Sequence, residues 1–169
     1  MKNLAIFAAI KEEFPFDEDF PVVYSGVGKI NASISLSNYL NSNPDTDLII
    51  NVGSAGGLDC KPDSVIECGI FLDGQLNYPG YIQEHIVFGI NKKTCITFDN
   101  FITENPNVYG NCVDMEAVAF AKICMQKQVK FLCFKYISDI IGEEKQENKW
   151  LKNYKEGKHL LKEAIENII

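Results

Sequence analysis

The feature that most constrains this chain is a recurring pattern of short apolar runs separated by helical or turn-rich segments. Asn3–Ala9 is continuously apolar, which predicts a strand buried on both faces, and Pro21–Ser25 predicts a second, short one ending in the glycine turn Gly26–Gly28. Lys29–Asn41 sets Ile30, Ile34, Leu36 and Leu40 mainly on one helical face, and Asn43-Pro44-Asp45 stops it. Asp47–Val52 is the next strand and opens into Gly53–Gly57, which reads as a turn. Ser64–Leu72 and Thr94–Phe98 predict two more strands, with a Gly/Asn/Pro-rich loop around Asp73–Tyr81 between them. Met115–Gln128 predicts a helix, Lys130–Ile137 a strand, and Trp150–Ile169 a terminal amphipathic helix. Alternation of this kind implies an α/β fold, a single-domain, mixed but mainly parallel sheet flanked by helices, over residues 1–169.

Size and charge narrow the function classes. The chain has 169 residues, 46% of them hydrophobic, enough for a sizeable core, and no apolar run approaches a membrane span. Leu4–Ile10 is too short for a secretory signal, and charged Lys11-Glu12-Glu13 follows it, so a soluble cytoplasmic protein is expected. The net charge is −7 and all 16 basic residues are lysine. Without a basic excess or any guanidinium fork, neither nucleic acid nor membrane is an expected partner. Six cysteines form no C-x-x-C pair and only two histidines are present, which predicts reduced, buried thiols and no metal site.

Two acids carry the chemistry. Glu116, in Val113-Asp114-Met115-Glu116-Ala117, stands at the start of a predicted helix, and Asp139, in Ile137-Ser138-Asp139, stands at the end of a Phe/Cys/Tyr-rich strand. In a buried setting an Asp can keep its proton near neutral pH while a Glu accepts sugar hydroxyls. Taken singly, each acid fits a plainer role equally well: a charge at a helix N-terminus for Glu116, a cap or loop acid for Asp139. In a parallel sheet, ligands bind beyond the carboxyl ends of the strands. Glu13, Gly28, Ser54, Asn100, Phe101, Glu116 and Asp139 all follow predicted strands and so converge on one expected crevice. The glycines of Gly53-Ser54-Ala55-Gly56-Gly57 are compatible with a phosphate cradle or with a tight turn needing positive φ, but the segment is neither a P-loop nor a dinucleotide fingerprint.

Together with Ala8-Ala9-Ile10-Lys11-Glu12-Glu13, Ser25-Gly26-Val27-Gly28-Lys29-Ile30-Asn31-Ala32 and Asn51-Val52-Gly53-Ser54-Ala55-Gly56-Gly57, the two acidic segments resemble the nucleoside phosphorylase/nucleosidase superfamily. The resemblance is closest to its methylthioadenosine/S-adenosylhomocysteine nucleosidase branch, and is clear over residues 1–58 and 94–142. It implies hydrolysis of the N-glycosidic bond of a purine nucleoside, without a cofactor. On this resemblance Asp139 protonates N7 of the purine, Ser138 orients that acid, and Glu116 with Met115 holds the ribose hydroxyls beneath the developing cation. Glu13 activates water, with Glu12 as the competing choice one residue away. Phe101 stacks on the base and Ile102 reads its edge by backbone, beside Asn100. Gly28, Ser54, Ala55, Gly56, Val113 and Asp114 complete the implied substrate contacts.

The chain is shorter than usual members of that family, the shortfall lying between Gly57 and Thr94, where the pocket rim and dimer contact are ordinarily built. Lys11 replaces an acid, and Tyr78, Tyr81 and His85 are only loosely suggested for the 5′ substituent. Two alternatives stay open: a phosphate-dependent phosphorylase, disfavoured by the absence of arginine, and a catalytically reduced nucleoside-binding module. A homodimer is expected, through an apolar patch at Phe71, Leu72, Leu76, Tyr78, Tyr81 and Ile82.

Overall fold

A computed structural model describes residues 3–169. Its elements are β1 (Leu4–Ala8), β2 (Val22–Tyr24), α1 (Lys29–Ser42), β3 (Leu48–Gly57), β4 (Val65–Asp73), β5 (Ile86–Val87), β6 (Lys93–Thr97), β7 (Cys112–Asp114), α2 (Ala117–Lys127), β8 (Lys130–Ile140), α3 (Gln146–Asn153) and α4 (Lys158–Glu166), with a single 3-10 turn over Lys11–Glu13.

All eight strands join one sheet in the order β2-β1-β3-β7-β6-β4-β5, and β8 pairs with both β3 and β4. That double pairing makes the sheet curl back on itself. The longest strands, β3 and β8, lie parallel from Leu48↔Lys130 onward, and their apolar sequence follows from burial on both faces. Parallel pairings predominate; the antiparallel ones are β3–β7, β4–β5 and β4–β8. The expected mixed, mainly parallel α/β sheet is the one observed.

Helices cover both faces. On one, Leu36 and Leu40 of α1 and Phe120 and Cys124 of α2 pack on Phe7, Ile49 and Phe131. On the other, Leu161 and Ile165 of α4 pack on Phe14, Ile50 and Phe134. The helix α1 is buried by its Ala32, Leu36 and Leu40 row, the i, i+4, i+8 stripe. Ile30 and Ile34, expected on the buried face, are 75% and 57% exposed, because a two-residue step turns them to the far side.

Three further expectations are corrected. Gly53–Gly57 is not a turn: it is the end of β3, and none of its residues has positive φ. The predicted helix from Met115 begins at Ala117, since Cys112–Asp114 is drawn into the sheet as β7. The terminal helix is two helices, broken around Gly157, whose Cα lies so close to the ring of Tyr136 that a Cβ there would overlap it. As a result α3 turns toward the strand ends while α4 packs against the sheet. The thiols are free and mostly buried, as expected. No helix of the described residues is long and apolar enough to cross a membrane.

Candidate active site

At the carboxyl ends of β1, β3, β7 and β8 lies a cleft open to solvent, of about 570 Å3 with its mouth included, lined by Glu13, Ser54, Phe101, Glu116, Asp139 and Trp150 among others. Ala55, Gly56, Asn100, Ile102, Val113, Asp114 and Met115 line it as well. Of the substrate-contact candidates, Gly28 and Ser138 stand just behind it, each hydrogen-bonded to one of the lining acids.

Each acid is placed by a distinct local device. Glu13 ends the 3-10 turn after β1 and is 6% exposed, whereas Glu12 points to solvent. Ser54 holds it twice, the backbone N–H and Oγ donating to Glu13 Oε1 at 2.9 and 2.6 Å. Gly53 permits that approach, since a Cβ there would meet Glu13 Oε2 at 3.2 Å. Burial raises the Glu13 carboxyl above the usual range, partly offset by the two Ser54 donors. Lys11, which replaces an acid of the family pattern, is paired with Asp17 at 2.9 Å on the surface.

Asp139 is delivered by an irregularity. β3 and β8 pair as Ala55↔Ile137 and then Gly56↔Asp139, so Ser138 is the extra residue of a bulge, and the strand re-aims there. Ser138 Oγ donates to Asp139 Oδ1 at 2.7 Å, and Gly56 lets the carboxyl lie against the β3 backbone, a Cβ there meeting Asp139 Oδ2 at 3.3 Å. The glycines of β3 thus serve close approach, and in these contacts they accommodate the acids.

Glu116 stands between β7 and α2 and is 7% exposed. Gly28 N–H, at the N-terminus of α1, donates to its Oε1 at 2.8 Å. Burial, reinforced by the neighbouring Asp114 charge, pushes the Glu116 carboxyl up to about 7. Asp114 has a different part: its Oδ2 pairs with the buried Lys135 ammonium at 2.8 Å and accepts from Ala117 N–H at 2.8 Å, while Thr97 Oγ1 donates to Oδ1 at 2.6 Å. Burial penalises the Asp114 charge, but Lys135 outweighs it and holds the carboxyl below the usual range. Lys135 is correspondingly raised despite its burial.

The helix α3 contributes residues that sequence reasoning missed. Gln146 Nε2 donates to Asp139 Oδ2 at 2.7 Å, Trp150 Nε1 to Ser54 Oγ at 3.3 Å, and Asn153 Nδ2 to the Ser138 carbonyl at 3.2 Å. Their spacing of four and three residues is one helical face. A lone tryptophan in a highly charged segment was the available signal. Phe101 packs edge-on against Trp150, ring centroids 5.6 Å apart. Tyr78, Tyr81 and His85 do not line the cleft, nor do Cys68, Cys95 and Cys112, whose buried sulfurs lie within 4.8 Å of one another elsewhere in the core.

The model of the Phosphorylase superfamily matches residues 86–169. A 5′-methylthioadenosine/S-adenosylhomocysteine nucleosidase of Bacillus velezensis is 30% identical over 159 residues, covering 71% of this chain and 68% of the relative. One from Thermotoga maritima is 28% identical over 156 residues, covering 79% and 71%. Among solved structures, the nucleosidase of Neisseria meningitidis in complex with methylthio-immucillin-A superposes with a TM-score of 0.80 at 18% identity, over 92% of this chain and 93% of that one. Futalosine hydrolase of Helicobacter pylori gives 0.85 at 15%, over 99% and 98%. With motif order, sheet and matched segments in agreement, the chain belongs to the nucleoside phosphorylase superfamily, on its 5′-methylthioadenosine/S-adenosylhomocysteine nucleosidase branch.

Proposed function

We propose that this protein hydrolyses the N-glycosidic bond of a purine nucleoside, 5′-methylthioadenosine or S-adenosylhomocysteine, releasing adenine. The observation that carries water over phosphate is the charge of the cleft. Four carboxyl groups line it, those of Glu13, Asp114, Glu116 and Asp139, and among the described residues no lysine does. Lys135, behind Asp114, is already ion-paired. A phosphate dianion would find no lysine of the described residues free in the lining to hold it, whereas water meets a base.

In the proposed mechanism the base stacks on Phe101, with its edge toward the Ile102 backbone. Asp139, oriented by Ser138, gives a proton to N7 as the bond from C1′ to N9 breaks and its electron pair moves into the ring. The purine leaves neutral. Glu116 accepts the ribose hydroxyls and, as an anion, stabilises the positive charge growing on the sugar. Glu13 takes a proton from the water that attacks C1′. Gly28 and Ser54 hold Glu116 and Glu13 in register, and Asp114 orders the turn leading to Met115 and Glu116.

The decisive assay incubates the protein with methylthioadenosine, with and without phosphate, and measures free adenine. Release without phosphate is the expected result. Release only with phosphate would make it a phosphorylase, and tight binding without release a nucleoside-binding module.

The protein acts, on this reading, as a cytoplasmic homodimer in methionine salvage, folded as one unit over residues 1–169. The patch first expected at the contact needs revision, because Phe71 and Leu72 are core residues. Leu76, Tyr78 and Ile82 are exposed, as are Ile30 and Ile34 of α1, and Val27, at 47% exposure, runs from that helix into the cleft lining. A partner on this side would cover apolar surface and close the pocket rim together.

A further inference from the structure

Gln146 is 4% exposed although it opens a helix whose flanking residues are mostly charged. Its carboxamide is fully engaged. Oε1 accepts from Gly142 N–H at 3.1 Å, and Nε2 donates to two acceptors at once, Asp139 Oδ2 at 2.7 Å and the Ile102 carbonyl at 2.9 Å. A planar NH2 group has two protons to give, and both are placed.

Those two acceptors are the ones that the mechanism above turns toward the base, Asp139 at N7 and Ile102 along the edge next to the stacked ring. A 6-aminopurine carries beside N7 a planar, conjugated NH2, which is the same donor as a primary carboxamide. One seat between two acceptors does not hold both groups. Resting on the nucleosidase reading, we infer that the Gln146 carboxamide is a built-in occupant of the seat for the exocyclic amine, and that a 6-aminopurine binds by displacing it. Gln146 thereby sets affinity for the base: the seat is available only in the fraction of molecules whose side chain has swung out, and apparent affinity falls by that fraction. It also keeps the acceptors satisfied while the site is empty, so neither is buried without a donor.

The test titrates adenine into the full-length wild type, Gln146→Met, which keeps the length without the donor, and Gln146→Asn, too short to reach both acceptors. Binding is read by calorimetry and by emission of Trp150, the only tryptophan. Both variants are expected to bind adenine about tenfold tighter, as when an occupant present in about nine molecules of ten is removed. Unchanged or weaker binding in both would overturn the inference and leave Gln146 a brace for Asp139. A measurement on the wild type needs no variant: the Gln146 side-chain amide protons, protected from exchange in the free protein, lose protection when adenine saturates the site. Protection that persists at saturation overturns the inference. A wild type that releases adenine from methylthioadenosine but shows neither effect loses this inference alone. One that neither binds nor releases adenine loses the nucleosidase reading as well.

Discussion

Gly28 donates its backbone N–H to Glu116 Oε1 at 2.8 Å, joining residues 88 apart in the chain. The contact seats a carboxylate against the N-terminus of α1, where the helix dipole favours negative charge, yet burial still pushes that carboxyl up to about 7. Glu116 must be ionised to stabilise a sugar cation, so kcat/KM is expected to rise through about pH 7 and to be about tenfold below its plateau at pH 6. The folded chain holds this proton more tightly than the unfolded one, whose ordinary value is 4.5. Its contribution therefore favours folding fully below about pH 4.5 and is lost as pH rises through about 7. Activity and stability move in opposite directions over that window. A pH profile flat from 5.5 to 8 would remove Glu116 from the charge-stabilising role.

Asp139→Asn keeps both hydrogen-bond partners within reach but cannot donate the proton. Turnover is expected to fall by about 10² or more, with methylthioadenosine binding still measurable by calorimetry. Near-normal hydrolysis by this variant would show that the leaving group departs without Asp139.

The two adjacent glutamates separate cleanly. Glu13 is buried on Ser54 and Glu12 is in solvent. Glu13→Gln is expected to lower turnover by about 10² or more, the scale of a lost general base, and Glu12→Gln by less than about twofold. Steady-state kinetics showing the reverse order would move the water-activating role to Glu12.

The Asp114–Lys135 pair is the buried electrostatic anchor of the site, with side chains 0% and 1% exposed. Lys135→Met leaves Asp114 charged and without its cation, which is expected to cost about 3–5 kcal/mol in urea denaturation. Adding Asp114→Asn should recover part of that, because the amide needs no counter-ion and its single oxygen still accepts from Ala117 N–H, with its NH2 turned to Thr97 Oγ1 as a donor. Wild-type stability in the single variant would show that the pair contributes nothing net.

A homodimer should appear as twice the 19.0 kDa chain mass in light scattering at micromolar concentration. Ile30→Lys with Ile34→Lys, both on exposed positions, is expected to shift it to monomer. A monomeric wild type that stays active on dilution would mean that one chain completes the pocket by itself.

The apolar runs determined β1, β3, β4 and β8, because a strand buried on both faces must be apolar along its length, and that property is local. The order of the acidic and glycine segments along the chain was enough to bring the cleft residues forward as one group. What the residues could not reveal was decided by pairing. Asp139 faces the cleft because β8 slips by one residue against β3 at Ser138, and a bulge is a property of two strands, with no signature in either. Gly53–Gly57 resembles a turn by composition, yet it is strand, and its glycines leave room for close neighbours: Glu13 at Gly53, Ile141 and Asp139 at Gly56, and Ile137 and Ile140 at Gly57. Gln146 and Trp150 reach the cleft because the terminal segment forms two helices, with α3 bonded to the ends of β3 and β8 and α4 packed on the sheet. Periodicity reports which face of an element is buried; the partner against which it is buried is settled by the closing of the sheet.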